Sequence, residues 1–202
     1  TYQKPIGEKW IAQAGIRFEN TDLNTFNPTS NIASSTIYNN WNPSAFVSYD
    51  LADNKKIRLS YSHRLQRPNP QDLNPTITYQ DAENISVGNP DLRPQETDSF
   101  EIGYEVTNGA TNYQIRGFYK LEDKVLTSYS QYLTNNIIQT SRINGGNAQS
   151  GGVEFNINTR LFEKLNVGLN STLSYIEQDK VGGIGIVSGT SLAGRLNLDY
   201  AL

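Results

Sequence analysis

Ser99-Phe100-Glu101-Ile102-Gly103-Tyr104-Glu105-Val106 alternates without a break: Phe100, Ile102, Tyr104 and Val106 oppose Ser99, Glu101, Gly103 and Glu105. A period of two places these sets on opposite faces of a β-strand, one apolar and one polar. Asn108-Gly109 follows, a pair that favours a tight hairpin turn. The chain then returns with Tyr113, Ile115, Tyr119 and Leu121 opposite Gln114, Arg116 and Lys120.

The same alternation recurs on both sides of this hairpin. Upstream it predicts strands over 10–19 (Trp10, Ala12, Ala14, Ile16 and Phe18 on one face), 44–50 (Ala45, Val47, Tyr49) and 57–65 (Ile57, Leu59, Tyr61), with turn chemistry at Asp53-Asn54. Downstream, a strand is expected from Ile137. Val153, Phe155 and Ile157 then oppose Glu154, Asn156 and Asn158, and Leu165, Val167, Leu169, Leu173 and Tyr175 follow a turn near Glu163. Leu192, Leu196, Leu198, Tyr200 and Leu202 make a last apolar face. Long connections (20–43, 67–96, 129–136, 178–190) alternate with short ones near Asp53, Asn108 and Glu163. In an up-and-down antiparallel meander this gathers all long loops at one end and all tight turns at the other, as in an outer-membrane barrel. The expected fold is therefore all-β, about eight strands of roughly 9–11 residues, forming part of a larger transmembrane β-barrel. A soluble β-sandwich also gives period-two strands and stays open as an alternative, as does a complete eight-stranded barrel of structural or adhesive role.

Composition fits the barrel better than the sandwich. Of 202 residues, Lys+Arg 17 stand against Asp+Glu 20, a net charge of −3, which speaks against a nucleic-acid partner. Hydrophobic residues reach only 36% and charged residues 18%, so the polar faces are built from Asn, Ser, Thr and Gly rather than Lys and Glu. Twelve tyrosines, an apolar ring with a polar tip, suit a boundary between hydrocarbon and water. Cys is 0, which removes disulfides, thiol nucleophiles and Cys-ligated zinc. With no Met and no apolar run at the N-terminus, the chain reads as a processed or cut piece without a leader.

Four segments carry a more specific likeness. The runs Ser60-Tyr61-Ser62-His63-Arg64-Leu65-Gln66-Arg67-Pro68, Asp72-Leu73-Asn74-Pro75, Gly88-Asn89-Pro90-Asp91-Leu92-Arg93-Pro94-Gln95-Glu96 and Phe100-Glu101-Ile102-Gly103-Tyr104 resemble TonB-dependent outer-membrane receptors, closest to the Bacteroidetes-type outer-membrane β-barrel family. Gly152-Val153-Glu154-Phe155 and the strand around Arg195 fit the same pattern, so the likeness covers most of the chain. The motif positions are Arg67, Pro68, Gly88, Asn89, Pro90, Leu92, Pro94, Glu96, Glu101 and Gly103; one departure is Gln95, which stands where the common form has Glu directly after Pro. The resemblance implies a receptor in the bacterial outer membrane that binds a siderophore, glycan or similar nutrient and imports it, driven by the TonB complex acting through a plug. This segment would be one barrel piece, residues 1–202, with the plug absent from it.

The prolines of 88–96 fix φ and hold their predecessors extended, so a structural role is expected for the motif. No catalytic constellation, cofactor or metal set stands out, and no enzyme activity is expected. His63 has no second His or Cys to join it, and Glu101, Glu105 and Glu154 read as solvated wall charges that Arg58, Arg116 or Arg195 can pair. Gly145-Gly146 and Gly182-Gly183-Ile184-Gly185 lack the ending of a phosphate loop. The amides and aromatics of the first long connection, among them Asn24, Asn31, Tyr38 and Trp41, are the candidate ligand-contact residues.

Overall fold

A computed structural model describes residues 1–27, 32–162, 164–181 and 185–200. In chain order the elements are β1 (Tyr2–Ile6), β2 (Trp10–Asn27), β3 (Ile32–Ala52), β4 (Lys55–Gln66), α1 (Pro70–Leu73), β5 (Ile77–Tyr79), β6 (Asn84–Val87), β7 (Gln95–Asn108), β8 (Thr111–Asp123), β9 (Leu126–Tyr132), a 3-10 turn (Thr134–Asn136), β10 (Ile138–Asn144), β11 (Ala148–Leu161), β12 (Leu165–Asp179) and β13 (Ile186–Tyr200). Among the described residues, nine strands form one antiparallel sheet in the order β1-β2-β3-β4-β7-β8-β11-β12-β13. That is one more than the roughly eight expected. The sheet is unclosed, because β1 and β13 do not pair with each other.

Tight turns join β1 to β2, β3 to β4, β7 to β8 and β11 to β12 at one end, and all the long excursions leave from the other. At the β7–β8 turn Gly109 takes φ +56°, which costs a residue without a Cβ little. Two long connections, 67–94 and 124–147, contribute strands to a second sheet, β5-β6-β10-β9, in which β6 and β10 pair in parallel (Ile85 opposite Gln139). This small sheet caps the long-loop end.

The structure corrects the loop boundaries in three places. The connection expected over 129–136, with a strand from Ile137, lies inside the longer excursion 124–147, whose strands β9 and β10 belong to the small sheet. The connection expected over 20–43 is instead a continuation of the β2–β3 hairpin, paired through Asn20 opposite Asn39 to Asn27 opposite Ile32. The one expected over 178–190 shrinks, since β12 runs to Asp179 and β13 starts at Ile186. Strands accordingly span 12 to 21 residues from β2 to β4 rather than 9–11. Their extra length lies beyond the apolar stretch, where backbone pairing continues although neither face is apolar. Of the expected features, Asn31, Glu163, Gly182, Gly183, Ile184 and Leu202 lie outside the described residues.

The apolar face is on the outside. Ile16, Phe18, Leu59, Ile102, Ile115, Val153, Leu173 and Leu196 are 46–66% exposed, and among the described residues no large side chain is fully buried. A sandwich would pack that face against a second sheet. Among the described residues the buried apolar ones are few, Leu73, Ile85, Leu92 and Ala148, and three of the four belong to the 67–94 excursion.

Candidate functional site

Three features of this sheet bear on function: an apolar band, a charged opposite face, and the cap. Cross-strand register aligns the band across the sheet. Val47 faces Leu59, Leu59 faces Ile102, Ile102 faces Gly117, Gly117 faces Val153, Val153 faces Leu173 and Leu173 faces Leu192. Aromatic pairs border it. Near the tight-turn end Trp10 and Tyr49 lie with ring centroids 4.3 Å apart. Near the long-loop end Phe18 meets Trp41 at 4.7 Å and Tyr61 meets Phe100 at 5.1 Å. Polar groups follow immediately: the Tyr61 hydroxyl donates to Asp98 at 2.7 Å, the Tyr119 hydroxyl to Gln149 at 2.7 Å, and Asn20 to Asn39 at 2.7 Å. On β12 the band runs from Leu165 to Tyr175, about 33 Å along the strand at ~3.3 Å per residue, or roughly 25 Å along the membrane normal at a tilt of roughly 40°. That matches the apolar height of an outer-membrane barrel. A hollow of about 560 Å³ over Ala45 and Gly117 dents the band where small residues face outward.

On the opposite face Gly103 stands between Arg58 and Arg116 in register. Arg58 reaches Glu105 at 2.7 Å, and Arg116 reaches Glu101 at 3.3 Å and Glu154 at 2.5 Å. The nearest atom to a Cβ placed on Gly103 would be Arg58 Cβ at 3.9 Å, so the glycine keeps the strip between the two arginines clear. The three glutamates are thus held by arginine. Arg116→Met is expected to lower the unfolding free energy of the full-length protein in phospholipid vesicles by about 1 kcal/mol, because these groups are partly solvated, and Glu154→Gln in the same chain is expected to restore part of that loss. Higher on this face Glu19 accepts from both Arg17 and Arg67, so Arg67, at the end of β4, is tied to β2 on the far side of β3.

The motif residues 88–96 gather at the junction of cap and wall. Gly88 donates its N–H to Asn74 at 3.0 Å, and a Cβ there would lie 2.7 Å from Asn74 N. Asn89 donates its N–H to Asp72 at 2.6 Å, its side-chain amide to Arg142 O at 3.1 Å, and accepts from Asp91 N–H at 3.0 Å. Leu92 is buried. Asn144 of β10 accepts from Arg93 N–H at 2.8 Å and donates to the carbonyls of Arg93 and Lys124 at 2.9 and 2.8 Å. Glu96 meets Lys124 at 2.5 Å and lies 3.8 Å from His63, whose other ring nitrogen is 3.0 Å from Asp98. Pro68 lies in the coil between β4 and α1, and Pro90 and Pro94 in the coil between β6 and β7.

Gln95, Asn144 and Arg142 are the anchoring residues that the sequence reading missed. Gln95, noted only as a departure, is buried, donates to Glu122 at 2.9 Å and accepts from Leu126 N–H at 3.1 Å, pinning the start of β7 to β8 and β9. Its signal was its place inside the motif; Asn144 and Arg142 gave none. At the cap's tip the N–H of Glu83 donates to Asp81, and with the Asn84 side chain holds its carboxyl below the ordinary carboxylate range.

The candidate ligand residues of the first hairpin do not converge. By register Asn24 and Trp41 lie on the outer face with Phe18, and Tyr38 on the opposite one. Among the described residues no group of three or more His, Asp or Glu is placed to hold a metal ion.

The comparisons agree with this geometry. A family model described as the outer membrane protein beta-barrel family matches residues 1–202. No curated protein matches the sequence. Among solved structures, the chain is similar to the copper transporter OprC (TM-score 0.69, 14% identity, covering 97% of this chain and 30% of that one). It is also similar to the siderophore receptor PirA from Pseudomonas aeruginosa (0.62, 15%, 95% and 41%). A third is the FrpB iron transporter from Neisseria meningitidis, F3-3 variant (0.60, 16%, 86% and 24%). The chain thus spans between about a quarter and two-fifths of the length of these barrels. An unclosed sheet with an apolar outer band, a polar inner face and loops at one end is a section of such a wall, and the chain belongs to the outer membrane protein β-barrel family.

Proposed function

We propose that the chain is a section of the barrel of a TonB-dependent receptor that binds a scarce nutrient at the cell surface and imports it. The observation that supports this reading best is the asymmetry of the two ends. One closes in tight turns, while the other builds a folded cap from two excursions that share the parallel β6–β10 pairing. A wall needed only to span the membrane has no use for that investment, whereas a surface receptor needs a shaped mouth. The polar inner face, lined by Arg–Glu pairs and asparagines, suits a lumen that holds a plug and passes a polar solute. In this reading the TonB complex acts through the plug, and the ligand is a small chelate or glycan of the kind the resemblance implies.

The test is uptake in cells. Deleting the gene for the whole protein is expected to abolish growth on one limiting nutrient from a panel of ferric chelates, copper and oligosaccharides, and deleting TonB is expected to reproduce that loss. Unchanged growth on every member of the panel would refute the import reading.

A further inference from the structure

The upper part of the inner face carries an imbalance that the Arg–Glu pairs lower down do not. Arg17, Glu19, Asn42 and Arg64 share this face by register: Arg17 is opposite Asn42, and Arg64 stands two residues beyond Ser62, itself opposite Ser44 of β3. Arg67 joins them through Glu19. Three arginines therefore share this part of the face with one carboxylate, which two of them, Arg17 and Arg67, contact. Arg64 makes no ion pair among the described residues, while the Arg17 and Arg67 side chains remain 72% and 51% exposed despite sharing Glu19.

Asn42 gives a second, independent sign. It is 7% exposed, yet neither its side-chain nitrogen nor its oxygen has a hydrogen-bond partner. A buried amide that makes no hydrogen bond is destabilising unless something supplies one. The Arg67–Glu19 contact bridges β4 to β2 across β3, where Asn42 sits. Directly below, a recess of about 220 Å³ is floored by the hydroxyl-bearing Ser44, Ser60, Ser62 and Ser99, with Arg64 at its edge. The carboxylate lining this recess, Glu101, is already held by Arg116.

We propose that Arg17, Arg64, Arg67 and Asn42 form an anion site on the lumen face that takes the carboxylate or phosphate oxygens of a solute. A guanidinium fork offers parallel N–H donors to two oxygens at once. Among the described residues Arg64 has no ion pair and Arg17 and Arg67 share one, and the Asn42 amide adds a donor in a water-poor position. Glu19 holds two of the forks in place and competes with the ligand for them. The site needs the polar face to be the lumen but does not need uptake to be TonB-driven.

The experiment is titration calorimetry on the purified full-length protein in detergent, with succinate and inorganic phosphate as probes and dimethyl succinate as the uncharged control. Succinate or phosphate is expected to bind, with the stronger of the two naming the oxygen chemistry, and dimethyl succinate is expected not to. Arg64→Gln, at a residue without an ion pair, is expected to weaken the anion about tenfold, the loss of one charge-assisted contact. Glu19→Gln is expected to tighten it, a change of sign that structural damage does not produce. Absence of heat from both anions at millimolar concentration, equal affinity in Arg64→Gln, or weaker binding in Glu19→Gln would overturn the site. Anion binding that persists in a protein without any uptake phenotype would count against the import reading and leave this site standing.

Discussion

Ile102→Arg will lower the stability of the full-length protein in phospholipid vesicles by about 2–4 kcal/mol, the cost of a guanidinium near the middle of a lipid-facing strand. Ile102 is 55% exposed, sits between Leu59 and Gly117 in register, and has Phe100 and Tyr104 beside it on the same face. Its exposure in water is the exposure that lipid would cover. The companion substitution is Ser60→Arg, on the inner face opposite Glu101, where water and a carboxylate receive the charge. That change should stay within about 0.5 kcal/mol, as for an ordinary surface position. Urea titration of both variants in the same vesicles measures the difference. Equal costs would mean that the apolar face is not the lipid face.

Gly88→Val should detach the cap while leaving the wall intact. The new Cβ would sit 2.7 Å from Asn74 N and 2.8 Å from its carbonyl carbon, and those are backbone atoms that cannot swing aside. The Gly88 N–H to Asn74 O contact at 3.0 Å and the adjoining Asn89 N–H to Asp72 O contact at 2.6 Å both depend on that approach. Overpacking of this kind costs about 1–3 kcal/mol, a large loss for a cap whose buried apolar residues, among those described, are Leu73, Ile85 and Leu92. The expected result is rapid amide exchange and protease cleavage within 67–94, with β7 and β8 still protected. Unchanged protection at Ile85 and Leu92 would refute it.

How much of this was legible in the sequence depends on where water is. Inside the bilayer one face of each strand must be apolar and the other polar, so the alternation of 100–106 and 113–121 read directly as strands, and the tight turns at Asp53 and Asn108 followed. Beyond the bilayer both faces are wet. The stretch Thr21, Asp22, Asn24, Ser35, Thr36 then carries no period although its backbone is fully paired, and it read as loop. β1 was missed for a related reason: Tyr2-Gln3-Lys4-Pro5-Ile6 does not alternate, and Pro5 argues against a strand, yet an edge strand tolerates a residue that cannot donate. The cap was out of reach, because its central pairing joins residues some fifty positions apart, Ile85 and Gln139, in strands of four and seven residues. At the candidate site the single residues were visible and their convergence was not. Arg67 was seen as a motif position, but its partner Glu19 lies two strands away, and nothing along the chain marks Asn42 as a buried amide without a partner.

The parallel seam between β6 and β10 has a consequence for any binder that meets the cap. Because 67–94 and 124–147 contribute adjacent strands to one sheet, the surface they present is discontinuous in the chain. An antibody raised against either segment as a free peptide meets only half of the folded epitope.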